Sequence, residues 1–323
     1  MKEQFDSQRV IDTAGHVVVL MGGTSAEREI SLLSGKATVA SLQRCGVQVS
    51  ALDVGARVVS ELAALNPDFV LNMLHGERGE DGVIQGLLEL LDVPYSGSGV
   101  LASALAMDKI RAKQIWLQEG LASADFELLT GATDWQAVFA RLGSCVVKPV
   151  NGGSSLGITK AESAEALREA YLEALKLDAK VMAETCIEGG EYTVTVLNGV
   201  VLPIIELQSG GKIYDYDAKY ITHNADPICP ARLGAEEAAE LSQMALHAYA
   251  ALGCRGTARV DAMRDRDGRF LLLELNTLPG MTEHSFVPLS ASVIGIGFDE
   301  LVLRIIDQAL PQVQLGESIH ESS

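Results

Sequence analysis

The chain has 323 residues, room for two or three domains at ~100–200 residues each, and its 48% hydrophobic and 21% charged residues describe a folded globular protein rather than a disordered or fibrous one. Lys and Arg number 25 against 43 Asp and Glu, and the net charge of −18 opposes nonspecific contact with nucleic acid or an anionic membrane surface. No run reaches the ~20 apolar residues of a bilayer span and the start, MKEQFDSQRVIDTAG, has no signal-like apolar core, so a cytoplasmic location is expected.

Residues 1–14 are polar without a clear period and read as a mobile leader or an extra surface turn. HVVVLMGG, from His16, is a β-branched strand ending in paired glycines, and TSAEREISLLSGKATVASLQRCG follows with helical spacing closed by Gly46. VQVSALDV and NPDFVLNMLHG read as two more strands, and a helix over about Asp81 to Leu91 precedes VPYSGSG. Strands apolar on both faces, alternating with helices, predict a parallel sheet covered on both sides.

From Val100 a long helical stretch holds Met107, Asp108 and Lys109, followed by the strand SCVVKPV, a Gly/Ser loop over 151–157 and the helix AESAEALREAYLEAL. Short strands come next, then a long polar stretch over 209–232, a helix near Ala235 to Leu252, and the strands TARVDAMRD and FLLLELN. The tail GESIHESS should fray. The five cysteines are scattered without a CxxC pair, which predicts reduced, mostly buried thiols and no zinc site.

Several residues point to chemistry. Glu27 sits where the first strand turns into a helix; it serves either a ligand or a capping box formed with Thr24. His75 ends an apolar strand, where open parallel sheets collect ligands, although a lone histidine is more often structural. Lys148 lies on an apolar strand, where a buried ammonium needs an anion. The NGGSSLG loop after it supplies the Ser154 and Ser155 hydroxyls and bare amides suited to phosphate, although no P-loop pattern is present. Glu184 and Glu191 flank CIEGG and are ambiguous between ribose acceptors and solvated acids.

The sharpest constellation is Asp261 on one strand with Glu274 and Asn276 on the next. Residues two apart share a strand face, so the three oxygen donors can meet, as a hard ion such as Mg2+ requires. Arg259, two residues before Asp261, adds a planar fork for a phosphoryl or carboxylate group.

GGTSAEREIS, LHGERGEDGVIQGLLELLDVPYSGSG, ASALAMDKIRAK, VVKPVNGGSSLG, EYTV, YDYDAKY, GCRGTARVD and LLELNTLPGMTEHSFVP together resemble the ATP-grasp superfamily and, within it, the D-alanine:D-alanine ligase family, in family order over about residues 16–310. The resemblance implies an α/β, three-domain ATP-grasp fold: an N-terminal parallel-sheet, Rossmann-like domain (1–97), a central lid domain (98–183), a C-terminal domain (184–315) and a frayed tail (316–323). It implies ATP-dependent joining of two D-alanines through a D-alanyl phosphate, and a homodimer without nucleic-acid or membrane partners.

It also implies residue roles. Lys109, Lys148 and the Ser154/Ser155 loop would meet the phosphates, Glu184 and Ile187 the adenine, and Glu191 the ribose. Asp261, Glu274 and Asn276 would hold two Mg2+ or Mn2+ ions. Glu27 would take the ammonium of the first D-alanine, helped by His75, within a chain through Ser154 and Tyr220. Ser285 beside Phe286 would receive the second carboxylate, Lys219 that carboxylate or the γ-phosphate, and Arg259 with the Gly280 amide the tetrahedral oxyanion. Lys219-Tyr220 favours the dipeptide over the D-lactate or D-serine products of sister ligases. A nicotinamide dehydrogenase lacks support because GxGxxG is absent. A noncatalytic nucleotide-binding regulator on the same fold would be expected to have lost metal ligands or the arginine, and all are present.

Overall fold

The computed structural model describes residues 5–153, 157–207 and 227–310. Ser154, Ser155, Lys219, Tyr220 and the tail expected to fray lie outside them. Three sheets carry the architecture among the described residues.

The first is a three-stranded parallel sheet of β1 (His16–Met21), β2 (Gln48–Asp53) and β3 (Phe69–Asn72), in the order β2-β1-β3. Central β1 is buried from Val17 to Met21, as its β-branched run predicts. Edge strand β2 departs from the expected two-sided burial: only Leu52 is buried, because no strand covers its outer side. Helix α2 (Arg28–Arg44) crosses the sheet on a stripe of small residues, Ser31, Ser34, Gly35 and Thr38. The closeness is enforced at Gly35, where a Cβ would stand 2.4 Å from Met21.

Residues 7–14 correct the leader expectation. They form α1 (Ser7–Ala14), capped by Asp6 accepting from the Arg9 amide, with Val10 and Ala14 fully buried. Their apolar period is short, and the partner that makes it visible is distant in sequence: α1 packs against the helix Phe298–Asp307. That C-terminal helix also covers one face of β1 and β3, while α3 (Val58–Leu65) and α4 (Val83–Leu90) cover the other through Leu62, Ile84 and Leu88.

The predicted long helix at Val100 is two helices, α5 (Val100–Met107) and α6 (Lys109–Gln118), broken at Asp108, which has extended backbone and caps the second by accepting from the Arg111 amide. The second sheet is β4-β7-β5-β6, built from β4 (Phe126–Leu129), β5 (Cys145–Pro149), β6 (Thr159–Ala161) and β7 (Val181–Thr185). α7 (Trp135–Leu142) and α8 (Ala164–Ala174) pack on it through Val138, Leu142, Leu167 and Tyr171.

The third sheet runs β10-β8-β11-β12, with β9 paired beside β8: β8 (Gly190–Leu197), β9 (Val200–Val201), β10 (Ile205–Leu207), β11 (Thr257–Arg264) and β12 (Phe270–Asn276). α9 (Ala235–Ala251), α10 (Phe286–Val293) and α11 (Phe298–Asp307) are the remaining helices among the described residues. α5 and α6, which the sequence groups with the central unit, bury Ala106, Ala112 and Trp116 in the core of this third sheet. The two sheets join where Ser123 bridges Leu272 and the Leu272 amide donates to the Ala122 carbonyl at 2.9 Å.

All five cysteines are free, but only Cys145 is buried, fewer than expected. Among the described residues no single helix is long and apolar enough to cross a membrane.

Trp116 is fully buried, and its indole N–H donates to the Ala248 carbonyl at 3.1 Å. Trp116→Ala should lower unfolding stability by ~3–5 kcal/mol, read from urea denaturation. A loss below about 1 kcal/mol would mean that this contact is peripheral to the core.

Candidate active site

A cleft of about 550 Å3 opens where the ends of β1 and β3 face the β11–β12 pair. Its N-terminal wall contains Glu27 and His75, and its opposite wall Arg259, Glu274 and Asn276. Lys109 and Gly152 enter from the central sheet side, and Gly280, Ser285 and Phe286 close the far end.

Glu27 is the residue before α2, not its third residue, so Thr24 does not stand at the helix start as the capping-box alternative requires. Its carboxylate instead lies against two backbones: a Cβ on Gly76 or Gly153 would come within 2.8 Å of Oε2. Gly76 also has φ +70°, so glycine there meets both a left-handed turn and a close approach. His75 is buried; its Nδ1 is 3.7 Å from Glu80 Oε1 and its Nε2 is 3.4 Å from Ser34 Oγ. Ser34 Oγ in turn accepts from the Met281 amide at 3.1 Å, tying the histidine to the segment that carries Gly280. Ser285 is the residue before α10 and makes no side-chain cap to it; its Oγ accepts from the Thr282 amide at 3.0 Å instead.

The β11–β12 register sets Asp261 opposite Glu274 and Arg259 opposite Asn276. Alternation on each strand therefore raises the four side chains from one face. Arg259 grips Asp261 through Nη2 at 2.8 Å and Nε at 2.9 Å, and Thr193 Oγ1 donates to Asp261 Oδ1 at 2.6 Å. The guanidinium also lies 5.9 Å from the centre of the Phe286 ring. Lys109 bonds the Gly152 carbonyl and stands 3.3 Å from Glu274 Oε2. Among the described residues no three His, Cys, Asp or Glu side chains form a ready-made metal cluster. Two carboxylates and an amide remain, a donor set that suits Mg2+ when phosphate oxygens complete it.

Behind the cleft, the anion that Lys148 needs is Glu184: Nζ and Oε1 are 2.5 Å apart across the β5–β7 pair. The other oxygen, Oε2, is 2.9 Å from Lys113 Nζ. Lys113 escaped the sequence reading, although it lies four residues after Lys109 on one helix face, beside buried Ala112 and Trp116. Burial pulls the Lys113 ammonium below the usual lysine value, with Glu184 opposing that shift. Burial also pushes Glu184 upward, but the two lysines outweigh it and hold the carboxyl down at about 2. Ile187 lines a second cleft with Thr185 at the junction of the two sheets, and Glu191 sits half-buried on β8 opposite Leu207.

Because the Glu184 carboxyl is depressed from 4.5 to about 2 on folding, its stabilising charge is fully present above 4.5 and drains away as pH falls toward 2. Glu184→Gln should abolish that segment of the acid-stability curve. It should also cost ~3–5 kcal/mol near pH 7, since two buried ammonium groups lose their counter-ion. Chemical denaturation of both proteins between pH 7 and 2.5 checks this, and parallel acid curves would contradict it.

The family model described as D-ala D-ala ligase C-terminus matches residues 115–307, and the D-ala D-ala ligase N-terminus matches 55–98. The D-alanine–D-alanine ligase of Saccharophagus degradans is 49% identical over 297 residues, covering 92% of this chain and 95% of the relative. That of Halorhodospira halophila is 50% identical over 306 residues, covering 94% and 98%. The crystal structure of the D-alanine–D-alanine ligase from Bacillus anthracis complexed with ATP superposes with a TM-score of 0.81 at 32% identity, covering 92% of this chain and 98% of that one. The Coxiella burnetii enzyme gives 0.79 at 26%, covering 92% and 94%. With a family model spanning more than half its length and relatives near half identical, a cleft that faces a parallel sheet on one side and an acidic antiparallel pair on the other has a plain assignment: the chain belongs to the D-alanine–D-alanine ligase family, with the ATP-grasp fold.

Proposed function

We propose that the chain uses ATP to join two D-alanines into D-alanyl-D-alanine, releasing ADP and phosphate, in the supply of peptidoglycan precursors. The observation that carries this reading is the single cleft in which an ammonium-accepting carboxylate, Glu27, faces Arg259, Glu274 and Asn276 across the space of two small amino acids and a triphosphate end.

A carboxylate oxygen of the first D-alanine attacks the γ-phosphorus of ATP, the bond to ADP breaks, and D-alanyl phosphate forms. Glu27 holds the ammonium of that D-alanine, with His75 beside it fixed by Ser34. Lys109 and Lys148 offset the negative charge gathering on the transferred group. Asp261, Glu274 and Asn276 would hold one or two Mg2+ or Mn2+ ions, which when bound supply further neutralisation of the phosphate oxygens. Glu184 and Ile187 serve the adenine side and Glu191 the ribose.

The second D-alanine enters with its carboxylate at Ser285 and Phe286. Its amine, once its ammonium proton has left, attacks the acyl carbon; Arg259 and the Gly280 amide stabilise the tetrahedral oxyanion, and phosphate departs. Ser154 and Tyr220, with Glu27, form the proposed path for that proton, and Ser155 and Lys219 the proposed phosphate and carboxylate contacts. In this reading the four-stranded sheet is the lid over ATP, and α5 and α6 move with the C-terminal unit on which they pack.

ATP as substrate and five free cysteines support a cytoplasmic location. Exposed apolar side chains on touching helices α4 and α5, Leu90 at 87% and Leu101 at 72%, support a homodimer built on that face. Leu90→Glu should shift the mass measured by light scattering toward one chain, and an unchanged dimer would place the interface elsewhere.

Incubation with ATP, Mg2+ and D-alanine should yield the dipeptide by mass spectrometry together with ADP, with D-lactate offered in a parallel arm. Lys148→Ala and Glu274→Ala should each abolish phosphate release while circular dichroism remains native. Absence of dipeptide, or near-parental turnover in either variant, would reject the assignment.

A further inference from the structure

Lys113 is a buried ammonium that the reaction scheme does not use. Its side chain is fully enclosed, which bars it from touching substrate. Its Nζ donates to Ser123 Oγ at 2.6 Å and to the Leu272 carbonyl at 3.2 Å, and it stands 2.9 Å from Glu184 Oε2. These oxygens belong to the connection into β4, to β12 and to β7, so one cation joins α6 to both sheets that would enclose ATP.

The consequence lies in the charge count. Glu184 alone against Lys148 would make a neutral pair, and Lys148 would have little charge left to offer an anion. Two ammonium groups on one carboxylate leave an excess of one positive charge, in a chain whose net charge is −18. The arrangement is also directional. Lys113 occupies the rear oxygen of Glu184, so the front oxygen holds Lys148, and the excess charge appears at the Lys148 end.

We propose that Lys113 is a positioning residue for the nucleotide: it shares Glu184 from behind and thereby leaves the Lys148 ammonium oriented toward the ATP phosphates and only partly neutralised by that carboxylate. This inference rests on the ATP reading given above. It assigns Lys113 an effect on ATP through Glu184 and Lys148, and none on D-alanine.

Lys113→Met should raise the KM for ATP roughly 10-fold, the equivalent of a modest loss of one charge interaction, while the KM for D-alanine stays within about twofold. Lys113→Gln, which keeps polar contact with Ser123 but not the charge, should behave in the same way and carries the test if the methionine variant does not fold. A purely structural lysine would shift both KM values together. An ATP KM within twofold of the parent in a folded single variant, or a parallel rise for D-alanine, would each overturn the proposal. Lys148→Ala measured alongside separates the two levels: if it keeps full turnover, the ATP reading itself fails, whereas its loss of turnover with an unaffected Lys113→Met rejects only the role of Lys113.

Discussion

The antiparallel ladder between β11 and β12 is the constraint on which the rest of the molecule depends. Its register puts Asp261 against Glu274 and Arg259 against Asn276, and a one-residue shift immediately after Asp261 passes over Leu273 before the pairing resumes at Ala262 and Leu272. On the opposite edge β11 pairs with β8 along its full length, which brings Thr193 under Asp261. β12 in turn receives the central sheet through Leu272, whose amide and carbonyl are both used in that junction. A slip of β12 by one residue along β11 would turn Glu274 and Asn276 to the opposite face from Arg259 and Asp261.

Charge burial explains why so acidic a chain can serve an anionic substrate. Cations are concentrated in the cleft and directly behind it, and each is held by a local acid rather than left to the field of the whole protein. Arg259 is held by Asp261, Lys109 stands against Glu274, and Lys148 with Lys113 shares Glu184. In a poorly solvated site an unpaired charge is costly, whereas a paired one is oriented and available when a stronger anion arrives. The same economy holds at the other wall, where Glu27 rests against the backbones of Gly76 and Gly153 rather than in open solvent.

Much of this was legible in residue order. Period-two spacing placed Glu274 and Asn276 on one face, the apolar run around Lys148 demanded a counter-ion, and the glycines after β1 and β3 marked turns at the sheet's ligand-bearing end. α1 was missed because its apolar face consists of few residues and becomes recognisable only against α11. Lys113 was missed for a related reason. A lysine on a helix reads as a solvated cation, and nothing local says that this face turns inward toward β7 and β12. The break at Asp108 is a subtler case, since the flanking residues are good helix formers and only the extended backbone at the cap separates α5 from α6.

The order of residues by itself determined the element types, the parallel character of the first sheet and the chemical identity of the acids, lysines and glycines at the site, because periodicity and side-chain chemistry are local properties of the chain. Only the tertiary structure decided which acid answers which cation and which helices belong to which sheet. Glu184 lies 36 positions from Lys148 and 71 from Lys113, and such pairings are set by the packing of sheets against one another, which no short stretch of sequence encodes.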